Sequence, residues 1–98
     1  MNLETGRICL KVAGREAGKY CVVVEPQGDD FVLVTGPKAV TRVKRRKCNV
    51  LHLEPTEHVL KSGSWDDAAV EGAWKASGLV EKLGIELPAR RKAKKGDE

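Results

Sequence analysis

Five of the six residues from Arg42 to Lys47 are basic: Arg42, Lys44, Arg45, Arg46 and Lys47. No Asp or Glu occurs between Phe31 and Leu53, so nothing close in sequence neutralises them. A solvated strand edge uses one or two cations to prevent edge-to-edge aggregation. Five in six residues repel one another and cost stability until an anion offsets them. Arginine adds a planar fork that grips phosphate and stacks on bases, so this run predicts contact with a nucleic-acid backbone. Lys38 lies in the same acid-free stretch and joins the candidates.

A second constellation is the loop Gly14-Arg15-Glu16-Ala17-Gly18-Lys19. Its glycines suit an ordinary hairpin turn with positive φ. No Gly-Lys-Ser/Thr ending is present, so nucleotide hydrolysis is not supported. Beside a basic strand, Arg15 and Lys19 become candidate phosphate contacts. Cys48-x-x-x-His52 is half of a conceivable zinc site, but Cys9 and Cys21 stand singly in separate strands, whereas zinc motifs pair their ligands closely. Buried, reduced thiols explain the three cysteines better, and neither metal nor cofactor is expected. Trp65 and Trp74 could stack on bases, but their helical setting favours core packing. Asp66, Asp67 and Glu71 read as a helix start. No nucleophile–base constellation exists, so no enzyme is expected.

These groups must be positioned by a small framework. The chain has 98 residues and a net charge of +4, unevenly spread. Residues 1–30 carry −1, 31–53 carry +6, 54–87 carry −4 and 88–98 carry +3. Two basic zones therefore flank an acidic one. No apolar run approaches the roughly 20 residues of a membrane span, and the first residues lack a signal-peptide pattern, which predicts a cytoplasmic protein.

Alternation and turn residues predict strands over 7–12, 20–24, 31–35, 40–44 and 50–53, the last stopped before Pro55. Ile8, Leu10 and Val12 would share one face, with Cys9 and Lys11 on the other. In the fourth strand Val43 points inward and Arg42 and Lys44 outward. Strict alternation would then send Arg45 inward, so the strand must end or bulge near Arg45, or expose both faces. Five short strands in about 50 residues predict a mostly β fold, a small and strongly bent antiparallel barrel. After Pro55, Ser64 reads as an N-cap, Val70, Ala73, Trp74 and Ser77 fall on one helical face, and Gly78 reads as a C-cap. A further short turn of helix spans 79–83. This division gives a barrel over 1–54, a helical extension over 55–87 packed on it, and a basic tail over 88–98. The tail lacks apolar periodicity and should stay mobile until a partner neutralises it; Arg90, Arg91 and Lys92 are its candidate contacts.

The segment from Thr5 to Val24 resembles the KOW motif of ribosomal proteins and transcription elongation factors, with Gly18 at the motif's characteristic glycine. Phe31-Val-Leu-Val-Thr-Gly-Pro-Lys38 and the stretch from Val43 to Thr56 resemble the large-subunit ribosomal protein L-fourteen-e family of archaea and eukaryotes. The likeness covers residues 4–56 closely and extends loosely to Leu87. It implies an SH3-like barrel with a C-terminal helical extension, embedded in large-subunit ribosomal RNA beside neighbouring large-subunit proteins, and a monomer off the ribosome. Eukaryotic members carry longer extensions, so the short chain resembles the archaeal ones. The basic ending is less typical of short members. A transcription-associated KOW module would normally sit beside a second domain. A protein-binding SH3-like module needs an aromatic-lined groove, hard to build with one Tyr and one Phe.

Overall fold

A computed structural model of the chain describes residues 3–37 and 40–84. Five strands form one antiparallel sheet: β1 (Arg7–Lys11), β2 (Tyr20–Pro26), β3 (Phe31–Gly36), β4 (Val43–Asn49) and β5 (Leu53–Val59). Their order is β4-β3-β2-β1-β5, which leaves β4 and β5 as the two edges. Register shifts interrupt the β1–β5, β2–β3 and β3–β4 pairs. Such irregularities increase local twist and bend the sheet towards a barrel. The architecture is the mostly β, SH3-like one expected, with its helices at the C-terminal end.

The sheet is covered on both faces, which explains the nearly unbroken apolar run of β2. Cys9, Cys21, Val23, Val32, Val34, Val43, Cys48 and Leu53 pack together as one core. Ile8 and Val22, paired across β1 and β2, face the other way. They join Val40, Leu60, Val70, Trp74, Leu79 and Val80 in a second core beneath the helices. The cysteines are small buried apolar groups. Burial pushes the Cys9 thiol up to about 12 and raises Cys21 as well. Ile8 fulfils its apolar role, but at the strand's end the expected faces reverse. Val12 is exposed and Lys11 is buried against Glu16.

Helix α1 (Asp67–Ala76) begins two residues later than Ser64 suggested. Asp66 is the N-cap, accepting from the Ala69 N–H at 3.3 Å, while Ser64 Oγ donates to the Asp66 carboxylate at 2.7 Å. These bonds hold the Asp66 carboxyl below its usual range. Val70 and Trp74 are buried on the inner face, and Ala73 packs beside them. The helix ends at Ser77, followed by Gly78 at φ 80°, a left-handed position that favours glycine. Helix α2 (Leu79–Lys82) then closes the second core.

Strands β2, β4 and β5 differ from expectation in their boundaries. β2 runs on through Glu25 to Pro26. The fourth strand starts at Val43, not 40, because the Pro37 carbonyl accepts from the N–H groups of Val40, Thr41 and Arg42, which turns the chain there. It then continues to Asn49, through the whole basic run. Val50–His52 forms a 3-10 turn capped by Asn49 rather than a strand. β5 passes straight through Pro55, because an edge strand with one neighbour can spare a donor.

Candidate nucleic-acid interface

The cationic run lies on an edge strand with a built-in irregularity. Gly36 pairs with Val43, but Val34 pairs with Arg46, so β4 carries one residue more than β3 between these pairs. This is a bulge of the kind that the Arg45 alternation problem allowed. It turns Arg45 away from its neighbours. Its Nε and Nη2 donate to Asp67 Oδ1 at 3.1 and 2.9 Å, and Nη2 also reaches the Trp65 carbonyl. Thr35 Oγ1 donates to the same carboxylate oxygen at 2.8 Å. Arg45 therefore ties the edge strand to the start of α1.

The other cations converge elsewhere. Arg42, Lys44, Arg46 and Lys47 line one side of a groove of about 790 Å³ that follows β4. Arg15, from the loop between β1 and β2, lines it together with Lys11 and Glu16. Arg42 and Lys44 also border a second, smaller depression beside Arg45 and Asp67. Lys19 is exposed but lies outside both. Lys38, Arg90, Arg91 and Lys92 lie outside the described residues.

Glu16 is the one acid lining the main groove among the described residues, and it is fully engaged. Its Oε1 accepts from Lys11 Nζ at 2.9 Å, and its Oε2 accepts from the Lys44 backbone N–H at 3.1 Å. Burial pushes this carboxyl up, but the Lys11 and Lys44 hydrogen bonds and the charges of Lys11 and Arg46 together hold it below its usual 4.5. It stays ionised at neutral pH, neutralises buried Lys11, and fastens the loop to the free edge of β4. That clamp fixes the loop carrying Arg15 to the strand carrying Lys44 and Arg46. The positive φ of Gly14 and Gly18, 87° and 90°, lets the loop make this close return.

Arg42 has φ 63°, the only non-glycine residue at positive φ among those described. A left-handed backbone costs an L-residue with a Cβ roughly 1–2 kcal/mol, so glycine would be the cheaper choice there. The arginine thus occupies a strained backbone position on the groove rim. Arg42→Gly is expected to keep or raise stability by up to about 1 kcal/mol while weakening RNA binding. Urea denaturation and an RNA titration of the same variant check both signs. A variant that destabilises the fold and binds RNA normally would reverse this assignment.

Several groove residues were not among the nucleic-acid candidates: Lys11, Glu16, Phe31, Asn49 and His52, the last weighed only as half of a zinc site. Glu16 sat within a loop already singled out. Phe31 and Asn49 are 18 positions apart in the chain and meet only through the β3–β4 register. Among the described residues, no group of three or more His, Cys, Asp or Glu side chains is placed to hold a metal.

A small SH3-like antiparallel domain, with a helical extension on one face and a cationic groove along its free edge, is the class this chain represents. Comparison with known proteins carries this further. A large ribosomal subunit protein eL14 from Metallosphaera sedula is 47% identical over 91 residues, covering 88% of this chain and 95% of the relative. The Saccharolobus islandicus protein of the same name is 46% identical over the same span. That of Desulfurococcus amylolyticus is 61% identical over 59 residues, 60% of this chain and 62% of the relative. No protein-family model matches the chain. The chain belongs to the eL14 family of large ribosomal subunit proteins.

Proposed function

We propose that this chain is a structural, non-catalytic constituent of the archaeal large ribosomal subunit in the cytoplasm, and that it holds ribosomal RNA in the groove along β4. One observation carries the reading. Arg15, Arg42, Lys44, Arg46 and Lys47 converge on one concavity where Glu16, the one acid lining it among the described residues, is already neutralised by Lys11. Such a concavity attracts a polyanion and gains from displacing its counterions. Lys19, and Lys38, Arg90, Arg91 and Lys92 outside the described residues, supply further phosphate contacts. Arg45 acts from behind, by holding β4 to α1. Neighbouring large-subunit proteins are its other partners. Off the ribosome the chain is a monomer.

The expected result is co-sedimentation with the large subunit, with release only at high salt, because the contacts are electrostatic. Sucrose-gradient fractionation of a cell lysate over a salt series measures it. Recovery from the free soluble pool alone would rule the reading out.

A further inference from the structure

One end of the groove holds groups that phosphate binding does not require. Phe31 and Asn49 stand opposite each other across the β3–β4 pair. Lys47, two residues along β4, is a diagonal neighbour and places Nζ 4.8 Å from the centre of the Phe31 ring. Phe31 is the sole phenylalanine in the chain and remains 36% exposed, although Val32 beside it is buried. Asn49 spends its Oδ1 on the Leu51 N–H at 2.8 Å. Its amide N–H donors have no protein partner among the described residues and point to a use outside the fold. His52 also lines the groove, whose volume falls in the range of pockets that enclose small-molecule-sized groups.

An aromatic face, an amide edge and a ring of cations suit an extruded nucleotide better than a continuous duplex. RNA-binding surfaces read unpaired bases by stacking them on aromatic rings and bonding their edges, while cations hold the adjoining phosphates. We propose that the Phe31–Asn49 end of the groove is a nucleobase pocket. A single unpaired RNA base stacks on Phe31, the Asn49 amide donates to its edge, and Lys47 leaves the ring for the neighbouring phosphate. This rests on the RNA-binding reading above and narrows its ligand from a duplex backbone to a helix interrupted by a bulged or looped-out base.

Stacking releases no counterions, so it changes affinity without changing salt dependence, whereas a lost phosphate contact changes both. The test uses the full chain and two short RNA hairpins with a one-nucleotide bulge. In one the bulge is adenosine; in the other it is abasic, so the phosphates match and only the base differs. The protein is expected to bind the adenosine bulge about tenfold more tightly. Phe31→Leu, which keeps bulk but removes the ring, should abolish the preference with an unchanged salt slope. Phe31→Tyr should retain it. Arg46→Ala should flatten the salt slope on both RNAs and leave the preference intact. Equal binding of the two hairpins by the unaltered protein, or a preference that survives Phe31→Leu, would overturn the pocket while leaving the phosphate groove standing. Binding of neither hairpin would overturn both.

Discussion

Replacing Arg42, Lys44 and Arg46 together by alanine is expected to lower RNA affinity on the order of a thousandfold at low salt. Each charge-assisted bond to phosphate contributes about 1.5–3 kcal/mol, so three together reach that scale. All three side chains line the main groove, and the side chains of Lys44 and Arg46 are exposed on a strand already held by β3. Their loss should also flatten the log–log dependence of binding on salt by about 2.7 units for duplex RNA, and by less for single strands. Arg45→Ala is the informative contrast. Arg45 belongs to the same run, yet its guanidinium is committed to Asp67 and the Trp65 carbonyl. Its loss should leave the salt slope nearly unchanged and loosen the attachment of α1. That ion pair is partly exposed and screened, so the stability change should be modest. Deleting the tail from Arg90 onward should cost less affinity than the triple change, because the β4 cations are already held in place by the sheet. Filter binding over a salt series, with circular dichroism on each variant, gives the answer. A steeper loss from the tail deletion, or from Arg45→Ala, would move the principal RNA surface away from the groove.

The division between Arg45 and its neighbours shows what can be read in this sequence and what cannot. The run itself, its acid-free surroundings and the alternation conflict at Arg45 are local features, and they pointed to a charged strand that ends, bulges or exposes both faces near Arg45. Which cation leaves the groove is not local. It depends on Asp67, 22 positions away and brought near by α1 packing on the sheet. Pro55 misled for a related reason. A proline stops a central strand, but β5 is an edge, and edge status follows from topology and not from flanking residues. Val40 carried a strand-like signal, yet the Pro37 carbonyl gathered the next N–H groups into a turn, and Val40 was buried under the helices instead. Phe31 and Asn49 follow the same pattern. Each is unremarkable in sequence, and they acquire a common face only once β3 and β4 are in register. The hydrophobic framework was legible because strand and helix periods are short-range. The groove was legible in its charges but not in its floor, because the floor is assembled from distant elements.

Trp74→Ala is expected to be the most damaging single substitution to the fold. Trp74 is fully buried, and the core around it draws Ile8 and Val22 from the sheet, Val40 and Leu60 from connecting segments, and Val70, Leu79 and Val80 from the helices. Removing a buried tryptophan side chain costs about 3–5 kcal/mol through lost burial and the cavity left behind. A small domain has only about 5–15 kcal/mol in total, so the variant should approach marginal stability. For a domain of this size the midpoint of thermal unfolding should fall by at least about 12 °C. Because this core joins sheet to helices, strand and helix signals should be lost in one transition at that lower temperature. Trp74→Phe should be milder. It keeps an aromatic ring and removes an indole N–H that has no partner among the described residues. Far-ultraviolet circular dichroism and tryptophan fluorescence from Trp65, followed through the same melt, distinguish the cases. Trp65 packs against this core and reports on it directly. Early loss of the helical signal, with the sheet melting at its original temperature, would show that the extension is not integral to the fold. The groove's geometry would then rest on the sheet alone, and RNA binding by Trp74→Ala should survive below the sheet's own melting point. If the two parts are one cooperative unit, as the shared core implies, binding and structure should disappear together.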